Sequence, residues 1–323
     1  MDSTLSTTLA GFQQAVTTFC TNNNLATLPQ HAHQVLTCFL VYEGLFLIVS
    51  PLLSERLLPN IYGRFPKRTK LNWDSRVVSF VQATFVSYKA LQVIIGDGVR
   101  HGENATTEAA RSSMTRDDRL WGYSPSTGDI QAYAAGYFLW DVLLCVRYLD
   151  IQGISALLHA VSALIITVMG FRPFANFYGI NFILYELSTP FLNIHWALDK
   201  AGQTGSTLQL INGICLVLSF FGCRLLWGNY QTMNLSLDAW SAWKASNDAQ
   251  CLGLESSSGP KGSALPLCKK DFPVNLLLVY LVGNTVLSAL NVYWFSLMLK
   301  ALRKRFSPAS TGVSQSSKRG KKE

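Results

Sequence analysis

The chain has 323 residues, of which 49% are hydrophobic and only 14% are charged, whereas an ordinary soluble domain carries about 25% charged residues. Its formal net charge of +8 lies mainly beside apolar segments, which argues against nucleic-acid binding. A soluble all-α protein is also disfavoured, because the chain contains more long apolar stretches than one soluble core would bury.

Seven segments are long and apolar enough to be membrane helices, since a crossing needs about 20 mainly apolar residues. In chain order they are 34–53, 73–95, 131–149, 154–170, 174–197, 208–228 and 274–299. The fifth contains Glu186 and Pro190, which leaves open whether it is one helix, a broken helix or a re-entrant segment. The sequence therefore predicts an all-α multi-pass membrane protein.

The same pattern divides the chain into four parts. We predict a lumenal N-terminal segment over 1–33, an extra transmembrane helix over 34–53, a six-helix domain over 70–305 and a basic cytoplasmic tail over 306–323. The first 55 residues contain no Lys or Arg, so the basic region that begins a signal peptide is missing and the first helix is expected to remain in the protein.

Basic residues predict the orientation. They cluster between the first two segments and after the last one: Arg56, Arg64, Lys67, Arg68, Lys70, Lys300, Arg303, Lys304, Arg305, Lys318, Arg319, Lys321 and Lys322. By the positive-inside rule both clusters are cytoplasmic, and six crossings between them satisfy this. The ending, residues 319–323, loosely resembles a dibasic retrieval signal, so we expect an endoplasmic reticulum protein with a cytoplasmic C-terminus.

The predicted orientation places loops 96–130 and 229–273 in the lumen. Each loop holds one N-x-[ST] sequon, at Asn104 and Asn234, and these are glycosylation candidates. Cys251 and Cys268 share the second loop, where an oxidising compartment permits a disulfide. Two unpaired thiols are the alternative.

Three ionisable residues lie inside predicted membrane helices, where each costs about 2.5–3.5 kcal/mol on insertion scales and calls for a partner, a cavity or a function. They are Asp141, His159 and Glu186. Ser155 and Ser162 flank His159 at i, i+4 and i+7, which predicts one polar helix face. A structural histidine bonded across the bundle is the alternative.

Two arginines have a simpler interpretation. Arg147 lies near the predicted cytoplasmic end of the third segment, and Arg224 lies near the predicted lumenal end of the sixth. Long cationic side chains at helix ends can extend to the interface. We therefore expect both to reach water.

The fifth segment contains the best local evidence for a site. Pro190 cannot donate to the carbonyl of Glu186, so the helix is weakened at the turn that carries its buried acid. Freed backbone groups within a membrane are tolerated only against protein or a water-filled cavity. Glu186, Ser188, Thr189 and Asn193 are therefore predicted to face an internal space.

Several of these residues belong to motifs that resemble the TLC-domain family, which includes ceramide synthases, translocation-associated membrane proteins and an ER cargo receptor. The motifs are NWDSRVVS at 72–79, GYFLWD at 136–141, LH at 158–159 and YELSTPFLN at 185–193. The resemblance covers 70–305 and is nearest to members that are not ceramide synthases. It implies six helices around a central lipid-accessible cavity, preceded by an extra helix, with a cytoplasmic C-terminus.

The sequence departs from the ceramide-synthase pattern at three places. The adjacent histidine pair of those enzymes reads Leu158-His159 here, and their Asp-x-x-Asp pair reads Glu186 and Thr189. The histidine often found in the first family helix aligns with Gln82. N-acylation needs a base or nucleophile and a group to orient it, and only His159 and Glu186 remain for these roles.

We therefore expect a membrane protein that binds or senses lipid and influences membrane lipid composition. A sphingolipid-type N-acyltransferase that uses acyl-CoA, with His159 catalytic and Glu186 orienting it, is the alternative. A third possibility is an ER cargo or interaction protein. No P-loop, Rossmann glycine motif or zinc-type Cys/His spacing is present, so we expect no cofactor and no metal; the oligomeric state is not indicated.

Overall fold

The computed structural model describes residues 11, 14–96, 114–251 and 272–306, with the backbone alone for 247–251 and 304–306. Within those ranges the chain consists of helices and short connections, which confirms the all-α prediction. The long helical passes are α1 Leu28–Leu57, α2 Lys67–Gly96, α3 Pro125–Arg147, α4 Ile154–Met169, α5 176–200, α6 207–251 and α7 Val274–Phe306. Shorter helical turns lie at Pro59–Tyr62, Arg116–Trp121 and Leu149–Gln152.

The distribution of side chains is that of a multi-pass membrane protein. Four spans are long and apolar enough to cross a bilayer by themselves: Leu28–Leu57, Lys67–Gly96, Thr207–Ser246 and Val274–Arg303. Outward-facing side chains are often large and apolar, as at Leu218 and Val282, whereas Gln82 and Asn291 are fully buried. This inverts the soluble pattern, because the outer surface faces lipid and polar groups find partners only inside.

Contacts between helices fix their relative directions. α1 runs alongside α3 in the same direction, because His31 contacts Asp129 near their starts and Glu43 contacts Arg147 farther along. α7 runs against α6. One end of the bundle therefore carries the connection 56–70 and the last turns of α7. We call this end the basic face and the other end the opposite face.

The extra first helix is longer than predicted and is tightly joined to the bundle. It begins at Leu28 rather than 34, because polar residues such as His31 hide its first turns from a hydropathy pattern. Glu43 accepts hydrogen bonds from Trp140 Nε1 at 2.9 Å and Arg147 Nη1 at 2.7 Å. At Gly136 of α3, an added Cβ would lie 2.5 Å from a backbone oxygen of α1. Arg147 therefore pairs across the bundle in addition to lying near a helix end.

The fifth pass is one crossing with a break in its hydrogen-bond pattern. Its two α-helical parts, Asn176–Ile183 and Thr189–Lys200, are joined by a 3₁₀ segment over Leu184–Ser188. Pro190 lies two residues after the end of the 3₁₀ segment, and Glu186 lies inside that segment, as the missing donor predicts. The tighter winding places Glu186 and Ser188 in the interior, where both are buried.

The sixth pass corrects the prediction of a loop over 229–273. The helix continues through a π-helical segment, Phe221–Trp227, and then as an α-helix to Cys251. Polar residues beyond 228 suggested a loop, but Asp238 is paired with Arg119 Nε at 2.7 Å and accepts from the Tyr178 hydroxyl. These hydrogen bonds raise the pKa of Arg119, which lies outside the membrane helices. Asn234 therefore lies on a helix.

Some predicted features lie outside the described residues. These are the sequon at Asn104, the side chain of Cys251 together with Cys268, and the tail beyond 306.

Candidate functional site: a polar cavity inside the bundle

A cavity of about 420 Å³ opens inside the bundle toward the basic face. All six helices α2–α7 contribute to its wall, while α1 contributes none. Apart from Tyr137, its ionisable lining consists of Arg76, Asp141, His159, Glu186 and Arg224. Such a concentration of charge within lipid-embedded helices marks a functional site, because isolated charges there are costly.

Arg224 is at the centre of the charge network and is only 6% exposed. It lies on the π-helical segment of α6, and such segments occur often at functional sites. Its Nη2 is 3.7 Å from Glu186 Oε1, whose side chain is 8% exposed. Each charge thus compensates the other in an interior where an unpaired charge is costly.

Each of the three guanidinium nitrogens of Arg224 also donates to an uncharged group of the protein. They reach the Tyr185 carbonyl oxygen at 2.9 Å, Ser188 Oγ and Thr189 Oγ1 each at 3.1 Å, and Asn291 Oδ1 at 3.2 Å. The acceptors on α5 come from the 3₁₀ segment and the residue after it, so the break in α5 supplies the partners of Arg224. The expectation that Arg224 reaches the interface is wrong: α6 continues for many residues beyond it.

Arg76 lies on α2 at the same cavity and is held more loosely. Its Nη1 donates to Asn193 Oδ1 at 3.3 Å, and Asn193 Nδ2 donates to Ser79 Oγ at 3.1 Å. Its guanidinium lies over the Trp196 ring, 4.7 Å from the ring centroid. Its Nε is buried and has no partner among the described residues.

Asp141 and His159 have few direct partners. Among the described residues, Asp141 accepts a single weak contact, from Cys145 Sγ at 3.9 Å. His159 packs edge-on between the rings of Phe138 and Trp294, with centroid distances of 6.0 and 5.4 Å. Within the described residues the imidazole makes no hydrogen bond, so Glu186 does not orient it.

A second, largely apolar cavity lies beyond the first, toward the opposite face. Its volume is about 80 Å³, and helices α3–α7 line it. Large apolar side chains dominate, among them Phe138, Ile166, Phe182, Leu235, Leu281 and Leu287. His159 and Glu186 line both cavities and so mark the boundary between them.

Most of the predicted site residues come together in the polar cavity. They are Asp141, Ser155, His159, Glu186, Ser188, Thr189 and Asn193. Ser162 lines neither cavity. The lining of α4 instead follows steps of four residues, from Ser155 through His159 to Ala163, so the inward face drifts away from Ser162.

The residues that sequence reasoning missed are the two arginines. Arg76 was visible in the motif at 72–79 but was given no role in the site. Arg224 was assigned to a helix end because the polar residues after 228 were interpreted as a loop. The sequence did contain a signal for this pair. An arginine inside an apolar segment needs a partner, and Glu186 lies in the segment before it.

The described residues contain no group of three His, Cys, Asp or Glu side chains suited to a metal ion. The cavity instead offers guanidinium, amide, hydroxyl and carboxylate groups around a space large enough for part of a small polar molecule. Its chemistry suits binding of a polar or charged group at the membrane interface.

Comparison with known proteins agrees with this architecture. The TLC domain profile matches residues 72–300. An uncharacterised TLC domain-containing protein of Schizosaccharomyces pombe is 34% identical over 91% of this chain and 86% of its own length. Topoisomerase I damage affected protein 4 of Saccharomyces cerevisiae is 26% identical over 87% and 88%.

A human relative aligns with a shorter part of the chain. TLC domain-containing protein 4 of Homo sapiens is 28% identical over 58% of this chain and 68% of its own length. The domain match covers well over half of the sequence and includes six of the seven passes. The chain therefore belongs to the TLC-domain family of multi-pass membrane proteins.

Proposed function

We propose that the protein binds a membrane lipid inside its helical bundle, with the lipid headgroup in the polar cavity, and thereby influences membrane lipid composition. The observation that carries the proposal is the polar cavity of about 420 Å³ enclosed by six membrane helices. Concave sites with a few convergent polar groups are the usual form of small-molecule sites. Lipid is the most abundant molecule that can enter such a site from the membrane.

The partition of the cavities supports a lipid rather than a fully polar ligand. Beyond His159 and Glu186 the interior becomes apolar, lined by side chains such as Ile166 and Leu287. A molecule with a charged end and a hydrocarbon end matches both parts. The charged end would occupy the polar cavity, and the hydrocarbon end would occupy the apolar cavity.

A cavity-filling variant with a matched control tests the proposal. Ser155 lines the polar cavity, whereas Ser162 lies on the same helix and lines neither cavity. We expect Ser155→Trp to lose the lipid that the wild type retains through purification in mild detergent, and Ser162→Trp to retain it. Lipid is extracted and identified by mass spectrometry. Equal lipid content in both variants, or none in the wild type, contradicts the proposal.

The second candidate function is N-acyl transfer with His159 as base or nucleophile. The observation in its favour is that His159 lines both cavities and has no hydrogen-bond partner among the described residues, so its imidazole is available to a ligand. The observation against it is that Glu186 pairs with Arg224. Acyl transfer from acyl-CoA to long-chain bases, lost in a folded His159→Ala variant, would favour the enzyme; turnover that persists in that variant rules out His159.

We also propose residence in the endoplasmic reticulum with the C-terminus in the cytoplasm. The support is the positive-inside rule, since the basic connection 56–70 and the end of α7 lie on one face of the bundle. An engineered glycosylation sequon appended after Glu323 tests the orientation. It is expected to remain unmodified, while the native sequon at Asn104 is modified; the reverse pattern overturns the assignment.

A further inference from the structure

Two arginines line the polar cavity, and they differ in what neutralises them. Arg224 has Glu186 at 3.7 Å and hydrogen bonds to four further groups. Arg76 forms no ion pair with any described carboxylate. Among the described residues, one arginine of the cavity therefore has a carboxylate partner and the other has none.

The donors of Arg76 are largely unused. A guanidinium carries five N–H groups, yet its one hydrogen bond to a described residue is the 3.3 Å contact with Asn193. The Nε group is buried and has no partner in the part of the chain that the structure describes. Trp196 covers one face of the guanidinium plane, which fixes its orientation and leaves its edge as the binding surface.

A second donor stands one turn away on the same helix face. Asn72 precedes Arg76 by four residues and lines the same cavity. Its side-chain amide makes no hydrogen bond to a described residue. An arginine fork beside an amide donor complements the oxygens of a phosphate, which arginine binds through two parallel hydrogen bonds.

The depth of Arg76 suits a phosphate that enters from the basic face. Arg76 lies nine positions after the exposed Lys67 at the start of α2, which is roughly 14 Å along the axis at 1.5 Å per residue. It therefore lies in the first three turns of α2, the part of the helix nearest the basic face.

The acidic residues of the cavity restrict an anion to this position. Glu186 already pairs with Arg224, and Asp141 has the weak Cys145 contact among the described residues. A phosphate that moved past Arg76 would therefore meet a compensated ion pair and a further carboxylate, and neither offers it an unpaired cation. The favourable place for an anion is therefore the cavity mouth, beside Arg76 and Asn72.

We infer that Arg76, assisted by Asn72, binds the phosphate group of the ligand at the mouth of the polar cavity. The inference rests on the proposed function where that phosphate belongs to a lipid headgroup. A water-soluble phosphate compound offers the same group, and the experiment separates the two sources.

The test is a native mass spectrometry titration of the full-length, delipidated protein in detergent. The probes are phosphatidic acid, diacylglycerol with the same acyl chains, glycerol 3-phosphate and inorganic phosphate. We expect the wild type to bind one phosphatidic acid at least tenfold more tightly than diacylglycerol. Arg76→Gln should weaken phosphatidic acid binding about tenfold or more, because it removes the charged fork.

Lys67→Gln is the matched control, since it removes one positive charge from the exposed start of the same helix. It should leave the affinity within about twofold. Arg76→Lys keeps the charge without the planar fork and should give an intermediate value; it also replaces Arg76→Gln if that variant does not fold, as judged by thermal unfolding.

The outcomes distinguish this inference from the proposed function. Equal binding of phosphatidic acid and diacylglycerol, or unchanged affinity in Arg76→Gln, overturns the role of Arg76 while lipid binding stands. Arg76-dependent binding of glycerol 3-phosphate or inorganic phosphate without any lipid binding supports the phosphate site and overturns the lipid proposal. No binding of any phosphate probe overturns the inference.

Discussion

Two cavities lie in the bundle, a polar one near the basic face and an apolar one beyond it. They share most of their helices but differ in the polarity of their linings. Helices α3–α7 line both. The polar one, of about 420 Å³, contains two cations and two acids, whereas the apolar one, of about 80 Å³, is lined mainly by hydrocarbon. The chemistry changes along each helix, at the level of His159 and Glu186.

This contrast shows that the position of a polar group along its helix decides whether the group stabilises or destabilises the fold. In the polar cavity Arg224 and Glu186 compensate each other, and hydroxyl and amide groups satisfy the rest. In the apolar cavity Asn176 is buried, and neither atom of its amide has a described partner. Replacing a polar side chain with an apolar one should therefore destabilise the protein at the polar cavity. At the apolar cavity the same kind of substitution should be neutral or stabilising.

The largest expected effect comes from breaking the buried pair. Arg224→Met leaves Glu186 without its cation, which costs about 3–5 kcal/mol when one partner of a buried pair is removed. Thermal unfolding of the purified protein in detergent measures it. The double variant Arg224→Met/Glu186→Gln should recover much of the loss. A single variant as stable as the wild type would show that the pair contributes nothing.

A smaller effect is expected for one hydrogen bond of the same network. Thr189→Val keeps the shape of the side chain but removes the 3.1 Å bond to Arg224 Nη2, which still has Glu186 nearby. The expected loss of unfolding free energy is about 1 kcal/mol. Thr285→Val on the exposed side of α7 is the control and should change stability less; equal losses would mean that the network has no special role.

The apolar cavity should respond in the opposite direction. Asn176→Leu replaces an amide that has no described partner with a side chain of similar size. Removing unsatisfied buried polar atoms is neutral or stabilising, by up to about 1 kcal/mol. Melting temperature in detergent measures this. A clear loss of stability would show that the amide is satisfied and that the two cavities are less different than their linings indicate.

The boundary residue should matter least for folding. His159→Phe preserves the edge-on packing against Phe138 and Trp294 and removes no hydrogen bond to a described residue. We expect unfolding free energy within about 0.5 kcal/mol of the wild type, with any change confined to ligand binding or turnover. Destabilisation above 1 kcal/mol would make His159 a structural residue.

Much of the architecture follows from composition and pattern. Apolar segments of about 20 residues predict membrane helices because lipid cannot satisfy an open backbone, and all seven segments became helical passes. Glu186 with Pro190 predicted a weakened turn, and the 3₁₀ segment lies there. The bounds of α1 and α6 did not follow, because polar residues that pack against other helices resemble loop residues in a sequence.

The sequence by itself determined the class of fold, the number of passes and the polar character of the interior, because the hydrophobic effect acts on local composition. Only the tertiary structure decided that Arg224 pairs with Glu186, that Arg76 forms no ion pair with a described carboxylate, and that Ser162 lines neither cavity. Those facts depend on the rotation and depth of each helix against its neighbours. Packing between helices sets both, and no single segment contains that information.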